Sequence, residues 1–100
     1  MADILLVEDK DSLRRVLRLT LENAGYTVAE AIGARAALNE IANSRHRLVL
    51  TDLRMPNGSG LDVLRAARAA DADVPVIVMT ASGSIGEAVQ ARKDGAHGIL

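Results

Sequence analysis

Short apolar runs alternate with amphipathic stretches along the whole chain. The apolar runs are bounded by polar and turn residues, which is typical of strands in a buried parallel sheet. The amphipathic stretches place apolar residues at helical spacing; residues 34–43 match every apolar position of the i, i+3, i+4, i+7, i+8 template. Strands and helices that alternate with short connections predict right-handed crossovers and a parallel sheet covered on both faces.

Five strands and four helices are predicted from this pattern. The strands are residues 3–7, 27–31, 48–51, 76–79 and one that begins near His97; the helices are residues 12–24, 34–43, 60–70 and 85–93. The second strand contains Glu30, so we expect it at an edge of the sheet. Asp11 is expected to cap the first helix and Gly25 to end it. Two capping boxes are predicted before the third and fourth helices, at Ser59 with Asp62 and Ser84 with Glu87.

Acidic residues follow two of the apolar runs. Glu8 and Asp9 come directly after the first strand, and Asp52 comes after the third. In a doubly wound sheet, ligands bind beyond the carboxyl ends of the strands, where the strand order reverses. Three carboxylates that meet there would repel one another, and a hard divalent cation, most plausibly Mg²⁺, removes that repulsion. A metal-bound carboxylate pair beside a third, accessible Asp suits phosphoryl chemistry.

Composition narrows the class of protein. The 100 residues allow one domain, and 49% apolar residues suffice for one core. The net charge of -1 provides no basic surface for direct nucleic acid contact, and Tyr26 is the only aromatic residue for base stacking. Cysteine is absent, no apolar run is long enough for a membrane span, and the N-terminus has no signal-peptide pattern. We therefore expect a cytoplasmic location with no membrane contact.

Three motifs at the ends of the first, third and fourth predicted strands resemble the receiver domain of two-component response regulators. They are the pair Glu8-Asp9, the run Asp52-Leu53-Arg54-Met55-Pro56 with Gly58 and Gly60, and the pair Thr80-Ala81. Each motif alone is a weak signal, but together they are highly specific, and the resemblance covers the whole chain. Residues 80–96 resemble most the receivers of the sigma-54 activator (nitrogen-regulator-like) class.

The resemblance implies a doubly wound, flavodoxin-like α/β fold with a five-stranded parallel sheet in the order 2-1-3-4-5. It further implies that Asp52 is the phosphoacceptor, a nucleophilic carboxylate that forms an acyl phosphate. Glu8 and Asp9 match the Mg²⁺-binding pair, with Asp52 as a third ligand and the backbone carbonyl of Arg54 as a fourth. The Arg54 side chain is expected near the mouth of the site.

Two further residues match positions that contact the phosphoryl group. Thr80 matches the switch hydroxyl, and the amide of Ala81 would be a backbone donor to the phosphate. Such a domain is not an enzyme in its own right, since it catalyses only its own phosphorylation and dephosphorylation.

The resemblance also implies partners. A sensor histidine kinase would donate the phosphoryl group, and an output domain, most plausibly transcriptional, would respond to it. In receivers the exposed end of the first helix docks the kinase, so Arg14, Arg15 and Arg18 are candidate partner contacts, although such arginines usually form only a solvated helix face. His46 and His97 are expected to be surface or loop residues and not ligands.

Two departures from the receiver pattern concern the last strand. Ile99 occupies the position of a switch Tyr or Phe, and the essential Lys of the family would fall two positions beyond Leu100. The fifth helix is missing as well, so we interpret residues 1–100 as a single receiver domain that is incomplete at its C-terminal end. A chain that ends there is expected to be less stable than a longer one, or to form a homodimer through the open face of the sheet.

Two other functions compete with phosphoacceptor signalling. A Mg²⁺-dependent hydrolase with an Asp nucleophile, of the haloacid dehalogenase type, would carry its nucleophile after the first strand and not the third. An interaction module on a receiver scaffold would never carry phosphate, and it would not need Glu8, Asp9, Asp52 and Thr80 together. Multiple-turnover hydrolysis would identify the hydrolase, and failure to accept phosphate from a small donor would identify the interaction module.

Overall fold

A computed structural model describes residues 2–55, 58–79 and 85–100, and these residues form seven strands and four helices. In chain order the elements are β1 (Ile4–Val7), α1 (Asp11–Asn23), β2 (Val28–Ala31), α2 (Ala34–Asn43), β3 (Leu48–Asp52), β4 (Arg54–Met55), β5 (Gly58–Ser59), α3 (Gly60–Ala70), β6 (Val76–Met79), α4 (Ile85–Lys93) and β7 (Gly98–Ile99). Five strands form a parallel sheet in the order β2-β1-β3-β6-β7. The strands β4 and β5 form a separate antiparallel hairpin, so β6 and β7 are the fourth and fifth strands of the main sheet. The predicted order 2-1-3-4-5 is therefore confirmed.

The hairpin is the one pair of strands that the hydrophobic pattern did not predict. Residues 52–59 lie between the predicted strand 48–51 and the predicted helix 60–70, where no element is predicted, but Arg54 pairs with Ser59 and Met55 pairs with Gly58. Two residues per strand are too few to show a periodicity in the sequence. The other elements agree closely with their predicted bounds. Asp52 lies inside β3, as its last residue, and not just beyond it.

The two faces of the sheet pack against different helices. Leu5 and Val7 of β1 belong to the larger core cluster, which includes buried residues of α2, α3 and α4. The alternate residues Ile4 and Leu6 belong to a smaller cluster, which includes Leu17 and Leu21 of α1. Among the helices that the structure describes, only α1 contributes to this second cluster. This face is consequently the less covered one, with Ile77 and Met79 half-buried.

The predicted cap of α1 is wrong. Lys10 is the N-cap residue and its side chain makes no capping bond, whereas Asp11 is already the first helical residue. The Asp11 carboxylate lies 2.6 Å from a guanidinium nitrogen of Arg14, so it is engaged in an ion pair. Gly25, with a φ of 100°, follows the end of α1 as predicted, since positive φ favours glycine.

The capping box of α3 is confirmed. The Leu61 N–H donates to Ser59 Oγ over 3.0 Å, and the Ser59 N–H donates to the Asp62 carboxylate over 3.3 Å. The second predicted box begins at Ser84, which lies outside the described residues. Over the ranges that the structure describes, every helix is too short or too polar to cross a bilayer.

The two histidines occupy different environments. His97 is exposed, as expected. His46 lies in the loop between α2 and β3, but its side chain is buried and its Nε2 lies 3.3 Å from the Glu40 carboxylate. His46 is therefore a loop residue, as expected, but its side chain is not on the surface.

Candidate metal centre

Three carboxylates meet at the carboxyl edge of the sheet. The strands β1 and β3 are paired in register from Ile4 with Leu48 to Val7 with Thr51. The residues that follow this last pair are Glu8 and Asp52, so the register places them side by side, and Asp9 comes directly after Glu8. One carboxylate oxygen from each of Glu8, Asp9 and Asp52 can be chosen so that all three lie within 4.8 Å of one another. The predicted convergence of these side chains is confirmed.

Glu8 is the buried member of this group. Its residue is 1% exposed, and its carboxylate accepts a hydrogen bond of 3.0 Å from the Lys10 N–H. Burial raises the pKa of the Glu8 carboxyl, and the neighbouring Asp9 and Asp52 carboxyls add to the rise, while the bond from Lys10 opposes it. The protein alone thus stabilises the charged form of Glu8 poorly.

The donor set fits a hard divalent cation. Asp9 is half-buried, and its Oδ1 is a buried acceptor with no hydrogen-bond partner among the described residues. Buried polar atoms nearly always have a partner, and this oxygen, beside two further carboxylates, is free to accept a cation as one. Oxygen ligands of this kind suit Mg²⁺ or Ca²⁺.

The backbone of Asp52 is held by its neighbours. Thr51 Oγ1 donates to the Asp52 carbonyl oxygen over 2.9 Å, and the next amide, of Leu53, donates to the Met79 carbonyl over 3.1 Å. Gly60 packs against the same stretch from the other side. A Cβ atom at residue 60 would overlap the Asp52 carbonyl oxygen and lie 2.8 Å from the Leu53 Cα. The second glycine of the Gly-x-Gly motif is thus required by a close backbone approach.

The hairpin connects Asp52 to α3 and to α4. The Gly60 N–H donates to the Leu53 carbonyl over 2.8 Å, which closes the hairpin at its base. At the other side, the Arg54 guanidinium lies 2.6 Å from the Glu87 carboxylate in α4. The residue two positions after Asp52 is therefore tied to the helix that follows β6.

Two predicted site residues, Thr80 and Ala81, lie outside the described residues. The strand β6 is described up to Met79, which is in register with Asp52. The proposed contacts of Thr80 and Ala81 with a phosphoryl group therefore stay predictions.

One residue that contacts this site was not predicted to do so. Arg14 of α1 donates to the Glu8 carbonyl oxygen over 3.0 Å, and its side chain is only 14% exposed. In the sequence it is one of several arginines on an amphipathic helix, and its helical spacing from Asp11 is the only sign of a fixed position. Of the three arginines considered as partner contacts, Arg15 is the exposed one.

The comparison with protein families decides the class of the protein. The family model of the response regulator receiver domain matches residues 4–100. The chain belongs to this family. Receiver domains are phosphoacceptor signalling domains, and the fold and the acidic cluster described above are those that the resemblance implied.

Individual relatives agree with this assignment. The chain is 38% identical over 97 residues to the C4-dicarboxylate transport transcriptional regulatory protein DctD of Rhizobium meliloti, which places it near the sigma-54 activator type, as predicted. The match covers 97% of this chain and 21% of DctD, so the chain spans about a fifth of that relative's length.

Solved receiver structures superpose closely on the chain. The chemotaxis protein CheY4 of Vibrio cholerae has a TM-score of 0.90 at 30% identity, covering 100% of this chain and 85% of that one. A response regulator protein of Burkholderia pseudomallei has a TM-score of 0.90 at 32% identity, covering 97% and 57%, and its structure contains a phosphorylated aspartic acid, a calcium ion and citrate.

Proposed function

We propose that this receiver takes a phosphoryl group onto Asp52 with the help of Mg²⁺ held by Glu8, Asp9 and Asp52. The observation that carries the proposal is the convergence of the three carboxylates within 4.8 Å, together with the unpartnered, buried Oδ1 of Asp9. The phosphorylated aspartic acid beside a calcium ion in the Burkholderia pseudomallei protein supports it.

The chemical step is an in-line displacement at phosphorus. A carboxylate oxygen of Asp52 attacks the phosphorus atom, a new O–P bond forms, and the bond to the leaving group breaks. With a phosphohistidine donor the leaving group is the imidazole, and with acetyl phosphate it is acetate. The product is an acyl phosphate, which is a known covalent intermediate of carboxylate nucleophiles.

The protein's part in this step is to position charged groups. Bound Mg²⁺ would neutralise the phosphoryl oxygens. Glu8 and Asp9 would hold the cation, and the Arg54 backbone carbonyl is our candidate for a further ligand. The bonds around Thr51, Leu53 and Gly60 fix the Asp52 backbone, so that its carboxylate is oriented before the donor arrives.

We propose that the residues that follow β6 in the sequence carry the response to phosphorylation. We propose that the Thr80 hydroxyl and the Ala81 amide donate to the phosphoryl oxygens. Arg54 is paired with Glu87 of α4, so a movement of this helix would shift or break an ion pair of a residue two positions from the phosphoacceptor. Phosphorylation is thereby expected to change the surface around α4.

The partners are proposed from the family and its relatives. We propose that the domain is cytoplasmic and that a sensor histidine kinase supplies the phosphoryl group. The name of DctD describes a transcriptional regulator, and the chain matches only 21% of it, so we propose one receiver domain within a longer regulator. No direct nucleic acid contact is proposed for the receiver itself. A homodimer through the sheet face that contains Ile77 and Met79 stays a prediction, testable by sedimentation velocity.

Phosphorylation by a small donor tests the proposed site. With acetyl phosphate and Mg²⁺, mass spectrometry should find one phosphoryl group on Asp52, and the adduct should be labile in base. Asp52→Asn should abolish the adduct. Asp62→Asn removes the same charge from the exposed cap of α3 and should leave it intact. Label on a Ser or Thr would contradict the mechanism.

Turnover separates signalling from hydrolysis. A receiver should consume about one equivalent of donor quickly and then only at the rate at which its own acyl phosphate decays. Steady, rapid multiple turnover of phosphate esters would favour the hydrolase instead. No adduct under any condition would favour a pure interaction module.

A further inference from the structure

The Arg14 guanidinium uses each of its three nitrogens on a different acceptor. Nη1 donates to the Glu8 carbonyl oxygen over 3.0 Å, and Nη2 donates to the Asp11 carboxylate over 2.6 Å. Nε lies 3.5 Å from the Glu30 carboxylate on β2. With 14% of the side chain exposed, this is an inward-facing group and not part of a solvated helix face.

The Glu8 carbonyl belongs to the peptide unit that joins Glu8 to Asp9. A hydrogen bond to this oxygen therefore restrains the plane of that peptide and, with it, the backbone from which the Asp9 side chain extends. The Lys10 N–H holds the Glu8 carboxylate at the same turn. The two bonds together leave the turn after β1 little freedom to rotate.

Only an arginine suits this position. Its planar fork directs several N–H groups at fixed angles, whereas a lysine ammonium is a single point at the end of a flexible stem. Asp11 and Glu30 approach the guanidinium from the helix and from the edge strand, so they orient it toward β1. This also accounts for Asp11 not capping α1.

We propose that Arg14 is a positioning residue for the metal site, which orients the Glu8–Asp9 peptide so that the Asp9 carboxylate faces the cation. The inference rests on the proposed function, since it assumes that Glu8 and Asp9 hold a divalent cation. Groups that orient metal ligands typically contribute a factor of about 10 to 100 in metal affinity.

Simple electrostatics predicts the opposite effect. Arg14 places a positive charge beside the site, and removing that charge should strengthen the binding of a cation. If Arg14 only balanced the acidic residues, its removal would leave cation affinity equal or higher. If Arg14 positions Asp9, its removal weakens cation binding in spite of the more negative surroundings. The sign of the change therefore distinguishes the two roles.

Arg18 supplies a matched control. It lies one helical turn further along α1, and its Nε is 3.2 Å from the same Glu30 oxygen. Its guanidinium pairs with the carboxylates of Glu22 and Glu30, and neither of these is a proposed metal ligand. Arg18→Gln thus removes the same charge from the same network without touching the Glu8–Asp9 peptide.

The experiment measures Mn²⁺ binding by the electron paramagnetic resonance of the free ion. For Arg14→Gln we expect a dissociation constant raised about tenfold, and for Arg18→Gln a constant equal to that of the wild type or slightly lower. In metal-free protein, the amide shift of Asp9 should change in Arg14→Gln and not in Arg18→Gln. Arg14→Lys keeps the charge but not the fork, so it should also weaken binding.

The outcomes distinguish the two proposals. Arg14→Gln that binds Mn²⁺ as tightly as the wild type, or more tightly, overturns the positioning role alone. A wild-type chain that binds no Mn²⁺ overturns both proposals. If circular dichroism shows that Arg14→Gln does not fold, Arg14→Lys decides. Wild-type Mn²⁺ affinity in Arg14→Lys overturns the positioning role, and weaker Mn²⁺ binding with an altered amide shift of Asp9 supports it.

Discussion

Replacing Asp52 by Asn should make the metal-free domain more stable while removing its phosphoacceptor. The three carboxylates of the site lie within 4.8 Å of one another, and Asp52 takes part in two of the three pairs. Asn has nearly the same shape and no charge. The substitution therefore removes two repulsions and leaves the Glu8–Asp9 pair in place.

The size of the effect follows from that distance. Two unit charges 4.8 Å apart repel by about 0.9 kcal/mol in water and by about 3.5 kcal/mol at an effective dielectric constant near 20. Asp52 and Asp9 are only half-buried, and the raised pKa of Glu8 already relieves part of the repulsion, so we take the water-like value for each pair. Two pairs amount to about 2 kcal/mol, or a rise in Tm on the order of 10 °C for a domain of this size.

Far-UV circular dichroism is the suitable assay, since the chain has no tryptophan. In a chelator at low salt, Asp52→Asn should melt above the wild type. Mg²⁺ binds the folded wild type and should raise its stability by about 2.7 kcal/mol at a hundredfold excess over its Kd. The variant has lost a ligand and should gain less, so Mg²⁺ should narrow or reverse the difference. Asp73→Asn, which removes an exposed charge between α3 and β6, should change neither curve by more than about 0.5 kcal/mol.

An unchanged or lowered Tm of Asp52→Asn in chelator would refute the reasoning, because it would show that the carboxylates do not strain the metal-free fold. An equal Mg²⁺ response in the two proteins would refute the role of Asp52 as a ligand. The two results are independent, so repulsion and metal binding are tested separately.

Three further predictions concern other parts of the fold. Gly60→Ala should cost at least about 2 kcal/mol and impair phosphorylation, because its Cβ would displace the Asp52–Leu53 backbone. Gly98→Ala is the control for urea unfolding: its Cβ would make only an ordinary contact, 3.8 Å from the Ile77 side chain, so it should cost no stability. Arg54→Met breaks an exposed ion pair with Glu87, so it should speed hydrogen exchange in the first turn of α4 and lower the free energy of unfolding by less than about 1 kcal/mol. Unchanged exchange there would show that the ion pair does not hold α4 against the hairpin. The Thr27 N–H donates to Asp3 and lowers the pKa of that carboxyl below 3.8, so the charged form is favoured in the fold, and the resulting stability is full above the ordinary pKa and lost as the pH falls through the lower folded value. The Tm difference between wild type and Asp3→Asn should therefore shrink as the pH falls below about 5, and a constant difference would show that the bond does not depend on charge.

The sequence alone predicted the fold class and the composition of the acidic site. The reason is that the features which determine them are local or periodic. Short apolar runs and amphipathic stretches are visible in the chain order, and parallel strands bring their carboxyl ends to one edge whatever the details of packing. The meeting of Glu8, Asp9 and Asp52 follows from these facts, and so does the edge position of the strand with Glu30.

Only the tertiary structure decided which side chains pair. Asp is a residue type that commonly caps helices, but the carboxylate of Asp11 forms an ion pair with Arg14. His46 comes from a polar loop, and yet it is buried against Glu40. Arg14 reaches the peptide before Asp9, and Gly60 touches the backbone of Asp52. Contacts of this kind depend on the distances and angles between separate elements, which several arrangements of the same pattern would satisfy differently, so periodicity and composition do not determine them.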